Sequence, residues 1–569
     1  MSGSAFVELI KLFGIGPAAA ATLWSWLWGV VTVGLTYALA LSLAGRWEIA
    51  GSAAMLYSVS RSLWVDSSIA ELHTFSMALT AMILLLGLHA AENPTPRSFH
   101  WLAILFGVAV SHQRALMLLA PALLVLLAQP YLQLVRKRPL IVLMHAGLFL
   151  LPWLTYAYLP MRVRMGAIWT FGKPDTWETL LPFITADETR TNISVANSFA
   201  DLLARSRLHL QTLNAELLPG LVPVGLLTAS LVPLLLRRWK EALFFAAAWL
   251  PFVLAAYVVY VGFVWDAYLA VLMPATLIAI LGLSTAGAAL VQNRLWLGRA
   301  LAVIFVGAAI VTAVRGYTFV YEIQAAQRGR QVIDTFARAG DEGATEPTVF
   351  SATWGLDYFA LAYGALVSNE ISGVSVVDQT AHFGELDAAG NRIIVLPRSF
   401  YLFGLEFWDG HLGRAQLSSA GPGLIRVAAT PVISEEDLPD VDSFPMGDSF
   451  ALVGYAYELL ADKNALHVTL YWQSERAPAE DYSVFVHLSD QAAISAPEHI
   501  LAQSDRSAPV YGFYPTTRWS AGEIVREDYV VDLPDERVPV LLRTGLYTRT
   551  SDGGFENLGE ANIALDLSK

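Results

Sequence analysis

The sequence predicts a polytopic α-helical membrane domain of about ten spans or half-spans, followed by a small α/β unit and a C-terminal all-β sandwich. Three observations carry this reading. Of the 569 residues, 55% are hydrophobic, above the ~45–50% of soluble domains. Up to about Val320 the chain is a series of apolar runs broken by short basic loops. After about Gln324 it becomes mixed, acidic and rich in Gly, Pro and Asp. The expected domains are 1–323 in the membrane, then 324–440 and 441–569 outside it.

The net charge of −13 is therefore not a whole-molecule property. Most of the acid lies after Gln324, which argues against nucleic acid as a partner. The absence of cysteine excludes disulfides, thiolate catalysis and Cys-type zinc sites. The opening MSGSAFVELIKLFGIGP has no basic stretch followed by an apolar core and cleavage site, so it is no signal peptide.

The candidate spans, in order, are 18–44, 49–64, 74–90, 99–110, 115–129, 140–159, 217–236, 242–262, 268–291 and 297–320. Several fall short of the ~20 residues a span needs. Stretch 99–129 is either one long kinked element or two half-length helices meeting near Ser111, His112, Gln113 and Arg114. Such a polar break is tolerated only where it lines a wet or protein-buried cavity.

Lysine and arginine in short loops set the orientation. The strongest clusters are Arg136, Lys137 and Arg138, then Arg237, Arg238 and Lys240, and both are assigned to the cytoplasm. With 99–129 as a hairpin, alternation puts Asp66, Glu71, His112, Arg114, Arg162 and Asp266 on the opposite face, together with everything after Tyr321. In the loop 160–206, Gly172, Lys173, Pro174 and Asp175 read as a turn. A short helix then opens at Thr176–Glu178, capped by Asp175 or Thr176. Its apolar face, Trp177, Leu180, Leu181 and Ile184, suits the membrane interface.

Beyond Gln324, helix and strand patterns alternate up to about residue 430. Strands are expected at 348–351, 373–377 and 392–396, and helices at 328–339 and 358–368. From about 445 the segments LHVTLYW, YSVFVHL, EDYVVDL and LLRTGLYT alternate at period two between turn residues, for which a sandwich is the natural closure.

The stretch SRSLWVDSSIAELHTFSM, 60–77, puts Arg61, Asp66, Glu71 and His73 between two apolar runs. A charge at mid-membrane costs roughly 2.5–3.5 kcal/mol on insertion scales, so these residues sit at a wet helix end or serve a purpose. Glu71 with Asp66 is the best candidate for a catalytic pair or a cation ligand; the plainer reading is a solvated helix start. His112 and Arg114 at the helix break suit a phosphate; the plainer reading is a polar cap. Arg162 and Arg164 read as an anion clamp or as interfacial anchors. Asp266 sits in a turn, which favours Asp in any case. Trp169, Phe171 and Trp177 suit sugar or lipid, and an aromatic belt explains them equally. There is no Gly-rich phosphate loop, no HExxH and no GxSxG.

Three motifs resemble one family. LWVDSSIAELHTF (63–75), FGVAVSHQ (106–113) and YLPMR (158–162) with Trp169 and GKPDT (172–176) are similar to segments of the GT-C glycosyltransferases, in the bacterial branch related to protein O-mannosyltransferases. The resemblance covers about 49–186 by motif. It implies a polyprenyl-phosphate sugar donor, a protein or glycan acceptor, and inverting transfer at the outer face of the cell membrane. It makes Glu71 and Asp66 catalytic, with Glu71 near the donor phosphate or its metal and Asp66 able to replace the base, and places His112, Arg114, Arg162, Asp266 and Trp169 at the donor phosphate or substrate. A divalent cation, Mg or Mn, held by Glu71 is the one cofactor expected, with no organic cofactor.

The chain departs from that family at its start. The first helix and the outer loop expected to carry the acidic base are not seen, so the expectation is a truncated chain. The alternative is a catalytically inactive relative acting as a membrane-bound binding or scaffold protein. A transporter would show paired similar halves with broken helices in both, and a break is seen in one half. The C-terminal part resembles β-sandwich modules that follow such membrane domains in some bacterial proteins, through LVGY (452–455), LYW (470–472), VFVHL (484–488), Asp505, GFYPT (512–516) and TGLY (544–547). Trp472 and Tyr471 there are expected in the core rather than as a sugar platform.

Overall fold

The computed structural model describes residues 2–567 apart from 168–172, 186–193, 259–264, 292–293, 342–346, 353–354, 461–462, 535–536 and 551–553. The chain divides into two compact units, Met1–Ala326 and Gln327–Lys569.

The first unit is helical. After α1 (Ser2–Lys11), α2 (Pro17–Ala44) starts at a proline and ends at Gly45, whose φ of 67° closes the helix in the left-handed region. The expected span 49–64 is instead two short helices, α3 (Trp47–Ser58) and α4 (Arg61–Ser68). Between them Ser60 Oγ turns back onto the Tyr57 carbonyl at 2.8 Å, taking up an acceptor that a continuing helix would use. α5 (His73–Glu92) follows, then α6 (Pro96–His112), opened by a Thr95–Ser98 capping box. A 3-10 turn, Arg114–Leu119, leads into α7 (Ala120–Lys137). Phe99 at the start of α6 packs on Tyr131 late in α7, ring centres 5.3 Å apart. His112 at the other end of α6 meets Phe75 at 4.9 Å. Stretch 99–129 is therefore a hairpin.

α8 (Ile141–Leu150) and α9 (Tyr158–Arg164) run on through a 3-10 segment, and α10 (Trp177–Thr185) is the short helix of the loop. Thr176 Oγ1 caps α10 by accepting from the Thr179 amide at 3.3 Å. α11 (Phe199–Glu216) and α12 (Leu221–Leu235) meet at 96°, and α13 (Trp239–Ala256), α14 (Trp265–Val291) and α15 (Leu295–Ala325) complete the unit. Among the described residues seven helical stretches are long and apolar enough to cross a membrane, eight if the bent pair counts as one span. The expected ten shrink because the 49–64 run breaks and α6 is short.

α14 is the central helix: Leu277, Ile278, Ala279 and Ile280 are all fully buried. It crosses α12 at small residues. A Cβ on Gly225 would come 2.6 Å from the Ala279 carbonyl oxygen, and one on Gly282 would come 2.8 Å from the Gly225 carbonyl oxygen. Without a hydrophobic drive between helices in lipid, such close backbone approach supplies the packing. Gly282→Val is expected to cost roughly 1–3 kcal/mol through overpacking, read as a lower unfolding midpoint in detergent. Gly307→Val on α15, where nothing lies within 4 Å of the added Cβ, is the control expected to leave it unchanged.

Helix α2 serves as a ruler. Ser25 bonds the backbone of Glu71, and Arg46, 21 residues on in sequence, lies about 30 Å away at 1.5 Å per residue, close to a bilayer core. At the Arg46 end, Arg46, Arg238 and Leu295 line one cleft and Glu92, Gln129, Arg238 and Lys240 line another. The loops expected in the cytoplasm thus share one end, and the Glu71 corner lies at the other.

In the second unit, α16 (Arg328–Asp341), β1 (Thr348–Ser351), α17 (Gly355–Leu366), β2 (Val374–Val377), α18 (Phe383–Ala388), β3 (Arg392–Val395), α19 (Arg398–Leu412), β4 (Gln416–Ser419) and β5 (Ile425–Ala428) form the α/β part. Its sheet order is β2-β1-β3-β5-β4, parallel for the first three strands and antiparallel beyond. The sandwich stacks β10 (Ala502–Gln503), β9 (Ser483–Ser489), β12 (Leu541–Arg549) and β13 (Phe555–Ala564) on β11 (Ile524–Asp532), β8 (Ala465–Ser474), β7 (Phe450–Leu460) and β6 (Phe444–Met446), each sheet in that order. Trp472 is fully buried in it, and one apolar core runs from Phe383 and Trp408 of the α/β part to Trp472 and Trp519 of the sandwich.

Candidate active site at the α4–α5 corner

The corner exists because α4 cannot continue. Ser67 and Ser68 hydroxyls bond back to the Leu63 and Trp64 carbonyls at 2.6 and 2.7 Å, and Ile69 is extended at φ −124°, ψ 169°. Helix α2 then holds the turn. Ser25 Oγ donates to the Glu71 carbonyl and accepts from the Glu71 amide, both at 2.8 Å. About two helical turns further along α2, Thr32 Oγ1 donates to the Thr74 carbonyl at 3.1 Å. Gly29 is needed here, since a Cβ on it would run into the Ser67 side chain.

This brings together Asp66, Glu71, His73 and His112. Asp66 lies in the last turn of α4, is 1% exposed, and has a carboxylate oxygen 3.8 Å from His73 Nδ1. Glu71 is half-buried and its Oε2 accepts from the Leu72 amide at 3.3 Å. His112 lies edge-on to Phe75, and among the described residues its Nε2 is buried with no hydrogen-bond partner. A buried polar atom in that state is costly, so an oxygen arriving there is favoured.

Arg114 behaves differently from the phosphate ligand expected of it. Its guanidinium donates to the Ser111 carbonyl at 2.8 Å, to the Ile184 and Phe183 carbonyls at 2.8 and 3.0 Å, and to the Tyr156 hydroxyl. It ties the α6 break to the end of α10 and to the Tyr156 segment. Arg162 is exposed on α9. Asp266 is the second residue of α14 rather than part of a turn; its side chain, like the whole of Trp169, lies outside the described residues. Among the described residues no three His, Asp or Glu side chains are grouped to hold a metal ion.

Glu216 is a member that sequence reasoning missed. It ends α11, is 1% exposed, and accepts from Ser62 Oγ at 2.6 Å and from the Ser62 amide at 3.3 Å. It thereby supplies a carboxyl acceptor to the free amide and hydroxyl groups at the start of α4. Arg61 beside it stacks on Phe319, 3.2 Å from the ring centre. The available signal was an acid immediately before the apolar run at Leu217, the same pattern that singled out Glu71.

Residues 6–156 match the family model for dolichyl-phosphate-mannose-protein mannosyltransferases. No curated protein sequence matches the chain. Among solved structures, the chain is similar to the crystal structure of ArnT from Cupriavidus metallidurans in the apo state, at 13% identity and a TM-score of 0.27, over 75% of this chain and 87% of that one. The matched segment holds Asp66, Glu71, His73, His112 and Arg114, and so contains most of the corner. Over residues 6–156 the membrane unit is similar to the dolichyl-phosphate-mannose-protein mannosyltransferases.

Proposed function

We propose that the membrane unit transfers a sugar from a polyprenyl-phosphate donor to a protein or glycan hydroxyl outside the cytoplasm, with inversion at the anomeric carbon. The observation that carries this is the α4–α5 corner: two carboxylates and two histidines gathered at one end of a helical bundle, inside the family-matched segment. In a single displacement the acceptor oxygen bonds the anomeric carbon, and the phosphate oxygen departs with the electron pair of its broken bond. The acceptor proton needs a base within ~3 Å. Glu71, the half-buried carboxylate, takes that part, because Asp66 is closed off. Asp66 orients His73 in this scheme. His112 Nε2 and the exposed Arg162 offer the donors that a leaving phosphate requires. The test is release of polyprenyl phosphate from a radiolabelled polyprenyl-phosphate hexose by the full chain in nanodiscs.

An inactive scaffold is the second reading, favoured by the burial of Asp66 and by the engagement of Arg114 with the Ser111, Phe183 and Ile184 carbonyls. It predicts no donor turnover with any hexose, together with normal thermal unfolding.

The reading also puts Gln327–Lys569 outside the cytoplasm. Support comes from Arg136, Lys137 and Arg138 after α7 and from Arg237, Arg238 and Lys240 before α13, in short loops where the positive-inside bias acts. From the second cluster α13, α14 and α15 lead across, and α15, with 31 residues, is about 46 Å long. A reporter active only in the cytoplasm, fused after Lys569, is expected to be silent; signal from it would reverse the topology.

A further inference from the structure

The outer face of the β10-β9-β12-β13 sheet carries a cleft that no chemistry assigned above uses. Alternate residues of β9 point into the sandwich: Val484, Val486 and Leu488 are 0% exposed. Their neighbours Phe485 and His487 face an open cleft of about 890 Å³, shared with Asp505, Arg543, Tyr547 and Phe555. That volume is within the roughly 300–1,000 Å³ of small-ligand sites.

The floor and wall are aromatic. Gly545 on β12 has no side chain, and a Cβ there would sit 2.9 Å from the Phe485 ring, so the glycine lets Phe485 lie flat across the sheet. Tyr547 and Phe555 meet edge to face at 5.4 Å. Phe555 is 65% exposed, with the Arg549 guanidinium 5.7 Å from its ring centre.

The rim is polar and mixed in sign. His487 Nε2 lies 3.4 Å from Asp505 Oδ1, and Arg543 Nε lies 3.7 Å from Glu560 Oε2. Arg543 also donates to the Ile494 carbonyl at 3.2 Å. Among the described residues His487 Nδ1 is buried without a hydrogen-bond partner, and Arg543 Nε has the 3.7 Å approach of Glu560 in place of a hydrogen bond. A buried nitrogen in the first state is costly unless a ligand completes it. Gln503 and Asn557 add amides that both donate and accept. Arg506, though it borders the cleft, is spent beneath it on Glu527 at 3.0 Å and on the Tyr529 ring.

We infer that this cleft binds a neutral oligosaccharide, with Phe555 and Tyr547 stacking on a pyranose face and His487, Asp505 and Arg543 reading its hydroxyls. An apolar ring face with a mixed donor and acceptor edge matches a sugar, which offers C–H groups on one side and vicinal hydroxyls around it. Asp505 and Asp481 beside Arg543 and Arg549 leave no excess of positive charge for a polyphosphate. The cleft lies on the face of the sheet and not along an unpaired strand, so it does not offer the main-chain ladder that peptide addition uses. The inference is independent of the transfer reaction.

The test uses the full chain in nanodiscs free of glycosidic detergent, with mannotetraose, cellotetraose and tetragalacturonate as probes in saturation-transfer NMR. At least one neutral tetrasaccharide is expected to bind, and Phe555→Ala is expected to weaken it about five- to tenfold. Arg543→Gln is expected to do the same. Phe555 is exposed, so its replacement leaves the fold intact, and an unchanged unfolding midpoint confirms this. No transfer to either neutral probe at millimolar concentration overturns the inference. So does binding that is indifferent to both substitutions, or binding of tetragalacturonate alone.

Discussion

Replacement of Glu71 by glutamine is expected to lower sugar transfer about 10²–10⁴-fold, the range ascribed to a positioned base, while leaving the unfolding midpoint unchanged. Stability and activity separate here because of how the residue is held. The position of Glu71 is set by its main chain, which Ser25 grips through both the amide and the carbonyl at 2.8 Å. The carboxylate accepts from the adjacent amide of Leu72, and the side-chain oxygen of glutamine can keep that bond. Charge is lost while shape is retained. Asp66→Asn provides the contrast. Asp66 is 1% exposed beside His73, so its change is expected to lower the unfolding midpoint as well as the rate. Wild-type turnover of a polyprenyl-phosphate hexose by Glu71→Gln would remove Glu71 from the reaction.

The corner was legible because charge in apolar sequence is conspicuous. Asp66 and Glu71 stand out between apolar runs, and loop arginines alone put His112 on their side; the structure brings His112 against Phe75, within the first turn of α5. The break at His112 was visible too, as a polar run inside 99–129. What the sequence does not display is how distant backbone uses a side chain. Arg114 reads as a free cation, but the carbonyls of Phe183 and Ile184, some 70 positions on, consume it. Glu216 reads as the end of a polar helix, yet it caps a helix 154 positions earlier. Composition reports which groups are costly to bury; it does not report which partner meets the cost. The same limit explains the 49–64 run. Its apolar content fits a span, and the serine at position 60 that breaks it acts through one local hydrogen bond.

Asp528→Ala is expected to have the largest effect on stability, roughly 3–5 kcal/mol, as for other buried charges deprived of a partner. Asp528, on β11, is 1% exposed. Its Oδ2 accepts from Ser419 Oγ at 2.6 Å and from the Gly421 amide at 3.2 Å, both belonging to the α/β part. Its Oδ1 accepts from Thr469 Oγ1 at 2.7 Å and meets His467 Nε2 at 2.8 Å, both on β8 of the sandwich. Arg526 adds an ion pair at 3.0 Å. One carboxylate therefore fastens the two sheets together. Burial alone would raise its pKa, but the hydrogen bonds and Arg526 outweigh burial and hold the group well below the ordinary carboxylate range. A depressed acid contributes stability above its unfolded pKa of ~3.9, and the contribution fades as pH falls from there through the folded value. Two buried neighbours act in the opposite sense. Burial raises Glu523 and Glu527 above their ordinary range, so stability from them grows as pH falls through their folded values toward ~4.3. The second unit is thus expected to be most stable in mildly acid solution and to weaken below about pH 4. Asp528→Ala should flatten that acid limb and leave the rise attributable to Glu523 and Glu527. Hydrogen exchange of β4 and β11 amides in the full chain, corrected for intrinsic rates at pH 6 and pH 3.5, reads both effects. Equal protection in the two proteins at pH 6 would show that the sheets are held together by their shared apolar core alone.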